Sequence, residues 1–159
     1  MKDLAKLYLQ RAENELVVAN MLFNISSDEK LQKEEFKLEE HFTFYSGAIS
    51  HSYYSMFYAA KAILIENGIK TDAPNVHVKT IEAFETYLVK TGKLDAELLT
   101  IYKKIVVRAE ELLGILAVEK GKRGHFTYQT LPQANREPAQ DSINNASLFF
   151  KNIFKTLSK

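Results

Sequence analysis

The sequence predicts an all-α fold: an up-and-down bundle of four long helices plus a shorter fifth helix. Apolar residues recur at alternating spacings of three and four along most of the chain, as in helices with one buried face. The alternation of apolar and polar residues that is typical of a strand occurs only briefly, at Phe126–Thr130, which is too short to predict a strand. A length of 159 residues with 46% hydrophobic residues suits one core, so we expect a single domain over residues 1–159.

The first helix is predicted from a stripe that places its apolar residues on one face. The stripe consists of Leu9, Ala12, Leu16, Ala19 and Phe23. Ser26 followed by Glu29 matches a capping box and indicates a new helix start. The heavily charged stretch that follows, residues 28–41, is predicted to be a solvated helical turn or loop.

The second helix, from about Phe42 to Glu66, is apolar on most sides, which is typical of a buried central element. Asn67-Gly68 ends it, because glycine adopts the left-handed conformation cheaply. Pro74 suits the start of a third helix that ends at Gly92. Its predicted core face consists of Val78, Ile81, Phe84 and Leu88.

The fourth helix is predicted from about Asp95 to Lys120, and residues 121–134 form a connecting loop. The last helix starts near Asn135, and its core positions are Ala139, Ile143, Ala146, Phe150, Ile153 and Leu157. Arg108 lies among core positions of the fourth helix, where a guanidinium needs a partner. We expect a structural salt bridge to Glu13, Glu15 or Glu82.

Composition excludes several classes of function. Lys and Arg total 21 against 20 Asp and Glu, so there is no general nucleic-acid-binding coat. The absence of cysteine excludes disulfides, thiolate zinc sites and cysteine nucleophiles. The four histidines come from separate segments without metal-ligand spacing, so we expect no metal and no cofactor. No bilayer-spanning run or signal segment is present, and we expect a cytoplasmic protein.

Polar residues interrupt the second helix and form the first candidate site: His51, Ser52, Ser55 and Lys61. They could line an interhelical groove or a dimer seam. Alternatively, they form a small solvent-facing strip, or their hydroxyls bond to carbonyls one turn earlier. The neighbouring rings of Tyr53, Tyr54, Phe57 and Tyr58 are interpreted as core and interface rather than base-stacking platforms, because only Lys61 is a basic neighbour in sequence.

The second candidate site lies in the connecting loop, where basic residues alternate with rings. Its members are Lys122, Arg123, His125 and Tyr128. Such residues can contact phosphates and stack on bases, and neighbouring glycines would let the backbone approach a ligand. The alternative is an exposed connector whose rings pack under the bundle.

Three segments resemble the HEPN domain family. The runs SHSYYSMFYAAKAILIENGIK and VHVKTIEAFETYLVKTGKLD resemble its bacterial and archaeal members, and RGHFTYQTLPQANREPAQDSINNASLFFKNI resembles its archaeal branch. The similarity covers roughly residues 42–155. It implies a helical bundle, often a homodimer, often encoded beside a small nucleotidyltransferase in a toxin–antitoxin pair. Active members are metal-independent RNases.

The sequence departs from the nuclease motif of that family, an Arg followed after four to six residues by a His. The three positions in question hold Leu16, Val17 and Val18 after Arg11, and Leu113, Gly114 and Ile115 after Arg108. They hold Tyr128, Gln129 and Thr130 after Arg123, and Asp141, Ser142 and Ile143 after Arg136. The catalytic pair is therefore not carried over, and we assign no catalytic residue.

We therefore expect a non-catalytic HEPN-like bundle that acts as a dimeric nucleotide- or RNA-binding or protein-interaction module, working with a small nucleotidyltransferase partner. One alternative is a metal-independent RNase toxin with a variant site at Arg123, His125 and Tyr128, where the Tyr128 phenol replaces the missing histidine as proton donor. The other is a purely structural bundle.

Overall fold

The computed structural model describes residues 1–113 and 136–159. Its helices are α1 (Asp3–Ser27), α2 (Glu29–Glu34), α3 (Tyr45–Glu66), α4 (Val76–Phe84, continued by a π-helical turn, Glu85–Val89), α5 (Ala96–Leu113) and α6 (Arg136–Leu157). The predicted all-α bundle is confirmed, and the described residues contain no strand. They form six helices rather than five, because part of the charged stretch becomes α2.

Helix α3 is the central element, as predicted, and it contacts α1, α4, α5 and α6. Its end has the expected chemistry: Gly68 has a φ of 79°. The Gly68 N–H donates to the Ile65 carbonyl at 3.0 Å, and the Ile69 N–H donates to the Leu64 carbonyl at 2.9 Å. This pair of hydrogen bonds is the Schellman motif. It provides donors for carbonyl groups at the end of the helix that have no partner within the helix.

Helix α1 packs along α3 through small residues. Ala5, Ala12 and Ala19 are fully buried on its inner face, together with Leu9 and Phe23. At the other end of the contact, a Cβ atom added at Gly47 of α3 would lie 2.9 Å from Cδ1 of Leu22. The backbones of α1 and α3 therefore approach closely, and this allows side chains of the two helices to contact each other.

The start of α2 corrects one expectation. Asp28, not Ser26, caps this helix, since its Oδ1 accepts from the Leu31 N–H at 2.9 Å. Ser26 is buried in the last turn of α1, where its hydroxyl donates to the Leu22 carbonyl and accepts from the Phe44 N–H. The capping-box prediction at Ser26 was wrong because α1 continues to Ser27, so that Ser26 still lies inside α1.

Gln32 is fully buried within the otherwise solvated charged stretch. Its amide nitrogen donates to the carbonyls of Ile25 at 2.7 Å and Phe42 at 2.8 Å, and its amide oxygen accepts from the Phe42 N–H at 2.9 Å. One side chain thus joins the end of α1 to the segment that enters α3. A buried amide is stable here because its polar atoms are hydrogen-bonded.

Helix α4 begins at Val76, two residues after the expected start at Pro74, and Asn75 precedes it with a φ of 58°. Phe84 and Leu88 of the predicted core face are fully buried, whereas Val78 and Ile81 are half-buried. The remaining buried positions are Thr80 and Ala83.

Arg108 makes a structural salt bridge, but its partner differs from the three predicted glutamates. Its Nη1 donates to Oδ2 of Asp141 at 3.1 Å, to the Ser142 hydroxyl at 2.9 Å and to the Pro138 carbonyl at 3.0 Å. All three acceptors belong to α6, which packs beside α5. Burial pushes the pKa of Asp141 upward, but hydrogen bonds from Lys104 and Arg108 outweigh this effect and lower it.

Candidate functional site

Helices α1 and α3 run antiparallel and meet in a polar and aromatic seam. Contacting pairs appear in opposite chain order: Lys2 with Glu66, Tyr8 with Lys61, Arg11 with Tyr58, Glu15 with His51, and Ser27 with Tyr45. We call the half-buried and exposed middle of this contact the α1–α3 seam, and it consists of Tyr8, Arg11, Glu15, His51, Tyr54 and Tyr58. The antiparallel register places side chains that are far apart in sequence next to each other.

At one end of the seam, each helix contributes one cation and one aromatic ring, and each cation contacts the ring of the other helix. Cζ of Arg11 on α1 lies 4.6 Å from the ring centroid of Tyr58 on α3. Nζ of Lys61 on α3 lies 5.0 Å from the ring centroid of Tyr8 on α1. The two rings stack, with centroids 6.1 Å apart and planes 17° apart. At an exposed position such as that of Arg11, a cation–ring contact contributes about 0.5–1 kcal/mol.

Arg11 and Lys61 differ in what they offer to a ligand. Lys61 is buried, with 7% of its surface exposed, and its Nζ donates to the Thr71 carbonyl at 2.8 Å. It therefore joins α3 to the segment before α4 and has a structural role. Arg11 is exposed. Since a guanidinium stacked on a ring still presents N–H donors at its edge, Arg11 can bind an anion such as a phosphate.

A histidine–carboxylate pair lies at the other end of the seam. Nδ1 of His51 is 2.6 Å from Oε2 of Glu15, and both side chains are partly exposed. The carboxylate fixes the ring orientation and leaves the second ring nitrogen, Nε2, available for other contacts. The pair can hold a ligand group, and His51 shares a face of α3 with Tyr54, which lies three residues further along the helix.

His77, at the start of α4, occupies an aromatic enclosure behind the seam. Its ring centroid lies 4.4 Å from that of Phe57, 5.7 Å from that of Tyr53 and 6.2 Å from that of Tyr54. Burial lowers the pKa of His77, and the charge of Lys61 lowers it further. Burial also raises the pKa of Tyr53, and its hydroxyl is hydrogen-bonded to Nδ1 of His77 at 2.6 Å. The lowered pKa favours the neutral form of the His77 ring, which packs among these aromatic side chains.

The structure separates the four candidates on α3. His51 and Lys61 face α1, where they make the contacts described above. Ser52 and Ser55 are fully buried in the interior. The Ser52 hydroxyl donates to the Ala48 carbonyl at 2.8 Å, which is the local bonding considered as an alternative. Within the described residues, the Ser55 hydroxyl has no hydrogen-bond partner.

The candidates Lys122, Arg123, His125 and Tyr128 lie outside the described residues. Sequence reasoning missed the three contributors from α1 to the seam, Tyr8, Arg11 and Glu15. It counted only basic residues near the tyrosines in sequence, whereas the antiparallel register brings Arg11 onto Tyr58 from another helix. The signal was present in α1, since Tyr8, Arg11 and Glu15 are spaced by three and four and therefore share a face.

In the two described ranges, no group of three or more His, Asp or Glu side chains lies close enough to hold a metal ion. Across those same ranges, no helix has both the length and the apolar character needed to cross a bilayer. The seam itself offers an exposed guanidinium, half-exposed phenol rings and a histidine–carboxylate pair.

A helical bundle with a polar aromatic face on its central helix is consistent with the sequence resemblance. The HEPN domain model matches residues 25–155, which include all of α3, α4 and α5. The chain therefore belongs to the HEPN domain family.

Two archaeal relatives extend this comparison. The protein named "Putative toxin MJ0142" of Methanocaldococcus jannaschii is 32% identical over 97 residues, which cover 61% of this chain and 52% of that protein. "Putative toxin MJ0605" of the same organism is 27% identical over 115 residues, which cover 72% of each chain. The match thus spans about half the length of the first relative.

Proposed function

We propose that this chain is the RNA-binding HEPN component of a toxin–antitoxin-type pair, and that it binds RNA through the α1–α3 seam without cleaving it. The observation that carries the proposal is the exposed guanidinium of Arg11, held 4.6 Å from the Tyr58 ring beside the half-exposed Tyr54. Such an arrangement suits a phosphate contact next to rings on which single-stranded bases stack.

The absence of cleavage rests on the sequence. No histidine follows any of the four arginines at the spacing of the family's nuclease motif. The seam brings Arg11 and the His51–Glu15 pair onto one surface, but they meet α3 about two helical turns apart, at Tyr58 and His51. This spacing suits contacts with successive parts of a bound strand.

The partner is proposed from the relatives. Both are named as toxins, and a toxin that is tolerated by its host needs a neutralising partner. We propose a small nucleotidyltransferase in this role, with the HEPN chain acting as a dimer in the cytoplasm. Co-expression of the chain with the product of the adjacent reading frame tests this part, and the expected result is a co-purifying nucleotidyltransferase. Growth arrest by the chain that no adjacent product relieves would contradict it.

RNA binding is tested by titrating a fluorescently labelled single-stranded RNA with the full chain in buffer that contains a chelator. Arg11→Ala should weaken binding at least about tenfold, because it removes both the phosphate contact and the packing on Tyr58. Lys6→Ala is the matched control, since Lys6 is an exposed cation on the same helix and is not one of the seam residues. Equal losses in the two variants would contradict the proposal.

The same samples test cleavage. The RNA should remain at full length after prolonged incubation with the wild-type chain. Shortened RNA that disappears with Arg123→Ala or His125→Ala would instead establish the variant nuclease site in the loop.

A further inference from the structure

Helix α1 carries a second stripe on the side opposite to its buried face. The stripe consists of Leu7, Gln10, Asn14, Val17, Met21 and Asn24, and all six side chains are exposed. Their spacing of three, four, three, four and three residues is that of a helix seam that faces another helix. Leu7, Val17 and Met21 are 60%, 52% and 55% exposed, so this face of the bundle has no partner within the chain's described residues.

The outer stripe contains no charged residue, although 26% of the chain is charged. From Leu16 to Ser27, α1 has no charged residue on any side. Depletion of charge, rather than general hydrophobicity, distinguishes the core of a protein interface from the rest of a surface. The stripe has this property, and its three amides can fix the register of a helix pair at a cost in affinity.

A groove opens beside the stripe, between α1 and α6. It has a volume of about 460 Å³. Leu16, Val17 and Met21 of α1 and Phe150 of α6 form its apolar wall, and the charged side chains of Glu13 and Lys151 also line it. Leu7 has the most exposed large apolar side chain among the residues that the structure describes, and it lies outside the groove, near the other end of the helix. One molecule therefore carries both a protruding apolar side chain and a groove with an apolar wall, displaced from each other along α1.

We infer that a second copy of this chain docks antiparallel along the outer stripe of α1, with the two-fold axis between Asn14 and Val17. This arrangement places Leu7 of each copy at the Met21–Asn24 end of the other copy's groove. The protruding Leu7 and the groove of each copy then both have a partner in the other copy, as a closed two-fold interface requires. Parallel pairing would place Leu7 against Leu7 and leave both grooves empty. The inference rests on the dimer in the proposed function and assigns the surface that forms it.

Mass measurement of the purified full chain is the first test. The wild-type chain should sediment as a dimer of about twice 18.2 kDa, and Leu7→Glu should sediment as a monomer, because it places a charge in an apolar contact. Val107→Glu is the matched control, since Val107 is 56% exposed on α5, away from the stripe. Circular dichroism confirms that each variant is helical. A monomeric wild type, or a dimeric Leu7→Glu variant, would overturn the inference.

Cysteine cross-linking tests the orientation, and the natural chain has no cysteine to interfere. Antiparallel pairing about the proposed axis sets position 10 of one copy against position 21 of the other. Equal amounts of Gln10→Cys and Met21→Cys should therefore give a mixed disulfide, and neither variant alone should cross-link. Within one helix these positions are about 16 Å apart, beyond the reach of a disulfide. Cross-linking of each single variant with itself would show parallel pairing and overturn the inference. Neither readout depends on RNA, so a failure of RNA binding leaves this result intact.

Discussion

His51 and Glu15 meet across two antiparallel helices, with Nδ1 and Oε2 2.6 Å apart, and they lie 36 residues apart in sequence. This contact belongs to the same register that places Arg11 on Tyr58 and Lys61 on Tyr8. The register therefore assembles the surface that we propose as the RNA-binding site.

We expect the contact between His51 and Glu15 to contribute only weakly to the free energy of unfolding. A double-mutant cycle with Glu15→Gln and His51→Gln should give a coupling energy of about 0.2–1 kcal/mol, because partly exposed pairs are screened by solvent. Urea unfolding of the four proteins measures it. A coupling energy of zero would show that the contact does not contribute to the helix register.

His77 should make stability depend on pH. Burial lowers its folded-state pKa below the ordinary value of 6.5, so the unfolded chain binds the proton more tightly. The contribution of this group to stability is present above pH 6.5 and is lost as the pH falls from there toward the folded pKa. We expect a lower urea midpoint at pH 5 than at pH 7.5, and a smaller difference in His77→Gln. An equal pH dependence in both proteins would contradict this assignment.

Ser55→Ala should stabilise the protein, by about 1 kcal/mol, because it removes a buried hydroxyl that has no hydrogen-bond partner in the described structure. Ser52→Ala is the control, since Ser52 is equally buried but its hydroxyl donates to the Ala48 carbonyl. In thermal unfolding, the midpoint temperature of Ser55→Ala should be higher than that of Ser52→Ala. The reverse order would indicate that the Ser55 hydroxyl is satisfied.

Gly47→Ala tests the close approach of α1 and α3. The substitution favours the helix by up to about 1 kcal/mol, but its Cβ would press on Cδ1 of Leu22 at 2.9 Å. We expect these effects to nearly cancel in the wild-type background. With Leu22→Ala already present, Gly47→Ala should stabilise, since the opposing atom is gone. Identical effects in the two backgrounds would show that the contact is not tight.

Much of the fold could be predicted because it depends on local chemistry. The apolar stripe of α1, the burial of α3 and the stop at Gly68 follow from spacing and from one glycine. The partner of Arg108 could not be predicted, since three glutamates and Asp141 are equivalent by sequence and only the packing of α5 beside α6 selects Asp141. The seam escaped prediction for the same reason: Arg11 acquires its ring from a helix 47 residues away in sequence.

Ultraviolet cross-linking of the chain to a labelled single-stranded RNA, followed by mass spectrometry of the peptides, tests the central claim most directly. Zero-length cross-links should fall on the α3 peptide that contains Tyr54 and Tyr58, and the RNA should be recovered at full length. Cross-links confined to residues 121–134, or RNA shortened by the chain, would contradict binding without cleavage at the α1–α3 seam.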